Sequence, residues 1–325
     1  MWKLCFKIPA STSTGILDQY RENNTGMENN LYREYLRPEI LSKINNLELR
    51  AKLVVEGFIT GLHRSPFHGF SVEFSQHRPY NTGDSLRFID WKVFGRTDRF
   101  YIKQYEEETN LKSYILLDCS RSMTYATAGI SKLQYGKFLA AALTYLMLLQ
   151  RDAVGLITFD SQIKKLIPAR STSSYLQVLL SELDNAGPGH DTDIGTVLHI
   201  MAERVKRKGL LILISDLFDL PEKVISGLRH FRHNKHEVLV FQLLDPHERH
   251  LDFKGDIQFE DLETGEKITT QPWYIKQAYQ QKVEEFINQL KSQCRNNQID
   301  YQLIDTSNTL DLALMEYLIK RRKLI

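Results

Sequence analysis

Ser113-Tyr114-Ile115-Leu116-Leu117-Asp118-Cys119-Ser120-Arg121-Ser122-Met123 is the stretch that decides the fold. Its first five residues form an apolar run without polar alternation, and such a run reads as a strand buried on both faces. Asp118 ends it. A helix follows over Leu133–Leu149, where Phe138, Ala141, Ala142, Tyr145, Leu146 and Leu149 recur at three- and four-residue spacing.

The same alternation continues toward the C-terminus. Ala153–Phe159 is a second buried run and ends at Asp160. Ser174–Leu183 reads as a helix capped by its serine, and Ile194–Arg207 as another. Gly209–Ile214 is a third buried strand, ending at Ser215-Asp216. Pro221–Phe231 is helical with proline in the first turn. His236–Leu243 is a fourth strand, ending at Asp245. Apolar strands alternating with helices imply an α/β fold whose mostly parallel sheet is covered on both faces. Beyond it, Leu251–Thr269 reads as a hairpin around Glu263-Thr264-Gly265-Glu266. A long helix over Trp273–Cys294, a strand over Asp300–Ile304 and a last helix over Thr309–Lys320 complete this part.

Upstream the character differs. Residues 1–30 are polar and read as a loose leader. Tyr32–Leu49 has helical apolar spacing. Leu53–Ile59, Phe70–Phe74 and Arg99–Tyr105 are β-prone runs separated by turn signals such as Pro79-Tyr80-Asn81-Thr82-Gly83-Asp84. The expected division is therefore a leader over 1–30, a helix plus β-rich module over 31–110, and an α/β domain over 111–325.

Composition limits the function classes. The chain has 325 residues, 42 Lys+Arg against 40 Asp+Glu, 42% hydrophobic and 25% charged residues. That balance excludes a mainly disordered chain and argues against a dedicated nucleic-acid binder. Cys5, Cys119 and Cys294 form neither a disulfide framework nor a zinc pattern, which fits a reducing cytoplasm. Met1–Pro9 is too interrupted by lysine to read as a signal peptide. The most apolar stretch, Phe138–Leu149, has 12 residues, short of the ~18 that suggest a membrane span.

Ligands of open α/β sheets bind outside the carboxyl ends of the strands. Asp118, Ser120 and Ser122 stand there at alternate positions of one loop. Thr192 opens the helix beginning at Asp193-Ile194-Gly195, and Asp216 ends the third buried strand. These five oxygen donors from three loops suit a hard cation: Mg²⁺, Mn²⁺ or Ca²⁺.

Asp-x-Ser-x-Ser after a buried strand, with a threonine and an aspartate on later loops, resembles the metal-ion-dependent adhesion site of the von Willebrand factor type A fold. The resemblance implies a Rossmann-type, doubly wound domain. It also implies Ser120, Ser122 and Thr192 as direct ligands, Asp118 and Asp216 as direct or water-mediated ones, and a partner's carboxylate in the remaining position. Further motifs resemble the bacterial family called domain of unknown function 58. They are His63-Arg64-Ser65-Pro66-Phe67-His68-Gly69, Ser71-Val72-Glu73-Phe74, Arg78-Pro79-Tyr80, Gly83-Asp84, Arg87, Ile89-Asp90-Trp91-Lys92, Arg96 and Lys103-Gln104-Tyr105-Glu106-Glu107-Glu108. That likeness runs from about Leu53 to Arg321. It implies a MoxR-type AAA+ ATPase as partner, and the leading expectation is a non-enzymatic interaction adaptor that works with it in chaperone-like assembly or maturation.

Two other readings compete. One is a metal-dependent hydrolase on the same loops, with His190 or Asp191 as base. The other is a scaffold whose metal site is weak or empty. Ser120 and Cys119 lack the flanking glycines of a nucleophile elbow. His247-Glu248-Arg249-His250 follows Pro246 and reads as loop. His230, His233 and His236, with Arg229, Arg232 and Lys235, read as a solvated cationic cap of a helix end, and Arg321-Arg322-Lys323 as a cation cluster at a helix C-terminus. Asp84, Arg87, Asp90, Trp91 and Arg96 read as an ion-pair and aromatic framework at a domain junction.

Overall fold

A computed structural model describes residues 37–44, 46–64, 78–79, 94–96, 98, 100–102, 111–127, 129–189, 193–252, 257–260, 267–270 and 272–322. The leader, Phe70–Phe74, Asp84, Arg87, Asp90, Trp91 and Glu106–Glu108 lie outside these residues. So do His190, Asp191 and Thr192.

In chain order the elements are α1 (Pro38–Leu41), α2 (Leu47–Arg64), β1 (Arg78–Pro79), β2 (Tyr101–Ile102), β3 (Lys112–Asp118), α3 (Lys132–Leu149), β4 (Ala153–Phe159) and β5 (Ile163–Arg170). Then come α4 (Tyr175–Asn185), α5 (Ile194–Arg204), β6 (Leu210–Ser215), α6 (Pro221–His233), β7 (Glu237–Leu244) and α7 (Pro246–His250). The last are β8 (Ile257–Glu260), β9 (Lys267–Thr270), α8 (Pro272–Asn296), β10 (Asp300–Asp305) and α9 (Asp311–Arg322).

Six strands form the main sheet in the order β10-β7-β6-β3-β4-β5. All neighbours are parallel except β5, which returns antiparallel along β4. This is the doubly wound, mostly parallel α/β sheet that the alternating runs imply. From β3 the chain steps one way to β4, and later the other way to β6, β7 and β10. With one crossover hand, opposite steps place helices on opposite faces. Side-chain alternation matches. Ile115, Leu117, Ile212, Ile214, Phe241 and Leu243 face a core shared with α2, α3, α4 and α9. Leu116, Leu211, Leu213, Val238 and Val240 face the other, under α5, α6 and part of α8.

Several elements depart from the sequence expectation. Leu53–Ile59 is not a strand but the middle of α2. Leu47, Ala51, Val54, Val55 and Phe58 are buried at helical spacing and join the core of the sheet. Within Arg99–Tyr105 the described Tyr101–Ile102 is a strand, as expected, and pairs antiparallel with Arg78–Pro79. Ser174 stands at the start of α4 but its side chain makes no capping bond. Ser131 does cap α3: its hydroxyl accepts from the Gln134 N–H while the Gln134 side chain accepts from the Ser131 N–H.

The edge strand β5 was not apparent in the sequence. Lys164, Lys165, Pro168 and Arg170 are exposed along it, and Ile167 is buried. The segment read as loop after Asp245 is the short helix α7 with Pro246 in its first turn. The hairpin is present as β8 paired antiparallel with β9.

The cationic clusters do stand at helix ends, with His230, Arg232 and His233 in the last turn of α6 and Arg229, His233 and Lys235 exposed, but not every member is solvated. His236 is buried, with its Nε2 2.9 Å from the Val205 carbonyl oxygen, and His230 Nδ1 lies 3.2 Å from His199 Nδ1. Arg321 is drawn onto the buried Asp152. Arg96 is exposed. No helix among the described residues is long and apolar enough to cross a membrane.

Candidate functional site

The chain reverses its stepping direction between β3 and β6, and the crevice outside the strand ends at such a switch point is where doubly wound sheets bind ligands. Leu117 pairs with Ile214 in the β3–β6 register, so Asp118 and Ser215 emerge side by side. The Ser215 hydroxyl donates to Asp118 Oδ2 at 2.6 Å, and the Ser120 N–H donates to Asp118 Oδ1 at 2.8 Å. Asp118 is fully buried. Burial pushes its carboxyl up to about 7, and the neighbouring Asp216 adds to the rise. The Ser215 hydroxyl and the Ser120 amide and hydroxyl oppose it.

Past Asp118 the chain leaves the sheet and turns. Ser120 is extended, and a 3₁₀ turn occupies Arg121–Thr124, closed by the Met123 N–H on the Ser120 carbonyl at 3.1 Å. The buried Met123 anchors the turn, while Arg121 is exposed. This geometry brings the Ser120 and Ser122 hydroxyl oxygens to 3.1 Å.

Asp216 follows β6 and is 1% exposed. Leu217 behind it adopts φ +58°, a left-handed conformation that costs a non-glycine residue about 1 kcal/mol or more. The tight turn is held by the Leu217 N–H on Ser215 Oγ at 2.9 Å and the Phe218 N–H on Asp216 Oδ1 at 3.2 Å. The other Asp216 oxygen accepts from Lys132 Nζ at 2.8 Å, and the same ammonium lies 2.6 Å from Glu248 Oε1. Burial raises the Glu248 carboxyl to about 7, and the Lys132 ammonium opposes that rise. Lys132 and Glu248 were not among the residues expected from the sequence. Glu248 had a local signal: Asp245-Pro246-His247-Glu248 is a capping box, in which Glu248 Oε2 accepts from the Asp245 N–H at 3.0 Å.

Four of the five expected ligands are described, and they gather at the ends of β3 and β6. Thr192 lies outside the described residues, but both sides of its segment are tied to this rim. The Gly189 N–H donates to the Cys119 carbonyl at 2.6 Å. The Ile194 N–H donates to Asp219 Oδ2 at 3.0 Å, three residues beyond Asp216. A Cβ on Gly189 would meet Asp160 Oδ2 at 2.1 Å, so this close approach requires glycine.

The donor set is hydroxyl and carboxylate oxygen, which suits hard cations. The Ser120 and Ser122 hydroxyls share a hydrogen bond at 3.1 Å, which holds the two oxygens side by side. Among the described residues no group of three or more His, Cys, Asp or Glu side chains is arranged for a metal ion, and half of the donors gathered here are hydroxyls. Cys119 is buried, and burial pushes its thiol up to about 12, so it is not poised as a thiolate nucleophile. An open groove of about 670 Å³ runs beside the turn, lined by Thr124, Ser131, Lys137, Asp184 and Pro188 among others.

Comparison with known proteins gives relatives of the same kind. The family described as "Protein of unknown function DUF58" matches residues 76–287. "Uncharacterized protein Mb1516" of Mycobacterium bovis and "Uncharacterized protein Rv1480" of Mycobacterium tuberculosis are each 27% identical over 231 residues, covering 70% of this chain and 72% of theirs. Among solved structures, an aerotolerance-related membrane protein from Bacteroides fragilis aligns with TM-score 0.44 and 21% identity, over 65% of this chain and 99% of that one.

Proposed function

This chain belongs to the DUF58 family, and from that premise we propose that it is a non-enzymatic protein-interaction adaptor with a von Willebrand A-like domain and an adhesion-type metal site. The observation that carries the reading is the pair of hydroxyls at 120 and 122, 3.1 Å apart beside the buried Asp118 at the switch point of the sheet. In this reading Ser120, Ser122 and Thr192 hold a hard divalent cation, Mg²⁺, Mn²⁺ or Ca²⁺. Asp118 and Asp216 contribute directly or through water.

Protein groups that do not fill six positions leave room for an incoming carboxylate. The bound ion supplies a localised positive charge that an acidic side chain of a partner grips. Asp118 serves by orientation. Its two oxygens are occupied by the Ser120 amide and the Ser215 hydroxyl, so the loop carrying both serines is fixed before any partner arrives. By the family resemblance the partner is a MoxR-like AAA+ ATPase, and the pair acts in the cytoplasm in assembly or maturation of other proteins.

Isothermal titration of the full chain with Mg²⁺ and with Mn²⁺ tests the metal. Wild-type protein should give a saturable heat that Asp118→Ala and Ser120→Ala lack; superimposable titrations of wild type and Asp118→Ala would sink the reading. Co-purification with the ATPase in Mg²⁺ and in EDTA tests the partner, with retention expected only in Mg²⁺.

A further inference from the structure

Lys132 opens α3 with no exposed surface. A lysine is almost never fully buried unless paired. Its ammonium donates to Asp216 Oδ2 at 2.8 Å and to Glu248 Oε1 at 2.6 Å. It also stands over the Phe218 ring, 4.7 Å from the centroid, and 5.9 Å from that of Tyr125. The stem cannot swing out to water, because Leu133 and Tyr135 beside it are buried in the core of the sheet and the capping box at Ser131 fixes the helix start.

The two acceptors differ in freedom. Glu248 is held at both oxygens: Oε1 takes the ammonium, and Oε2 takes the Asp245 N–H that closes α7. Asp245 is fixed in turn by the Thr127 N–H at 3.0 Å and the Thr127 hydroxyl at 2.5 Å. Asp216 sits at the rim, next to Ser215 and so beside Asp118. A divalent cation at the 120/122 hydroxyls and the Lys132 ammonium therefore draw on the same Asp216 carboxylate.

We propose that Lys132 is a tethered counter-cation that occupies Asp216 in the ion-free protein and sets the affinity of the site, with Glu248 retaining the ammonium when Asp216 turns to the ion. This rests on the adhesion-type reading above. It makes Lys132 and Glu248 positioning residues for Asp216 rather than ligands. Two cations sharing one carboxylate repel each other strongly in a medium of low permittivity. Removing the lysine should therefore tighten the site. Removing Glu248 should weaken it, because Asp216 then carries a larger share of the ammonium.

The test is a double-mutant cycle on the full chain, read as the Mg²⁺ and Mn²⁺ dissociation constants by titration calorimetry, with circular dichroism confirming that each variant folds. Lys132→Met should bind about tenfold tighter or more than wild type. Glu248→Gln should bind several-fold weaker. In the Lys132→Met background the Glu248→Gln change should lose most of its effect, because Glu248 acts through the lysine. A general field effect of the two charges would instead give equal ratios in both backgrounds, and that result overturns the proposal. So does Lys132→Met binding no tighter than wild type. Should Lys132→Met not fold, Glu248→Gln binding as tightly as wild type overturns it. Wild-type binding with no gain in Lys132→Met defeats this inference alone, whereas no uptake by any of the proteins defeats the metal-site reading with it.

Discussion

Arg321 and Asp152 form a two-bonded pair that ties the last helix to the turn before β4: Nε donates to Oδ2 at 2.8 Å and Nη2 to Oδ1 at 3.3 Å. The Tyr317 hydroxyl adds a third bond to Oδ2 at 3.1 Å. The Asp152 side chain has no exposed surface, so its charge depends on these donors. Asp152→Ala should cost about 3–5 kcal/mol, because it leaves the half-buried guanidinium without its carboxylate and the phenol with only the longer contact to Gln150 Oε1 at 3.4 Å. Urea unfolding measures this; a loss below about 1 kcal/mol would show that the pair is incidental.

His236 makes stability depend on pH. Burial lowers its pKa from the ordinary 6.5, against the Val205 and Gly209 carbonyls, which favour the charged ring. The unfolded chain therefore takes up a proton before the folded one does as pH falls. Its contribution is complete above about 6.5 and is lost on acidification through the lowered value, with a slope of up to about 1.4 kcal/mol per pH unit. Denaturation between pH 7.5 and 5 should show this slope in wild type and a shallower one in His236→Phe.

Gly209 precedes β6 where its strand meets β3. A Cβ there would lie 1.9 Å from the Lys112 carbonyl oxygen. Gly209→Ala must push two hydrogen-bonded strands apart, and should destabilise the fold by about 3 kcal/mol or more. A thermal midpoint equal to that of wild type would show that the strand entrance yields freely.

Ser131 closes the capping box of α3. Ser131→Ala should cost about 1 kcal/mol. Because Lys132 follows directly, the same change should loosen the ammonium from Asp216. Hydrogen exchange over the first turn of α3 should rise in the variant, together with that of the Asp216–Phe218 turn.

The parallel strands were legible because β3, β4, β6 and β7 are dominated by apolar residues without polar alternation, and each leads into an aspartate at its carboxyl end or just beyond. The loop residues Asp118, Ser120 and Ser122 were legible for the same reason, since a strand's end locates its neighbours. Helix α2 was misread. Val54, Val55 and Ile59 favour strands locally, and only the buried series Leu47, Ala51, Val54, Val55 and Phe58 shows the helical period. Edge strand β5 was missed because Lys164, Lys165 and Pro168 interrupt its apolar pattern. Lys132 and Glu248 meet across 116 residues of chain. A pairing of that separation leaves no local trace, and a lysine at a helix start ordinarily faces water.

That lysine- and proline-bearing margin has a consequence for association. Pro168 offers no amide hydrogen, and Lys164, Lys165 and Arg170 are exposed along β5, the two lysines paired with Asp160 and Glu182. A second molecule adding its own strand there would meet a proline in the ladder and charged side chains beside it. Growth of the sheet into a ribbon of subunits is disfavoured on that side.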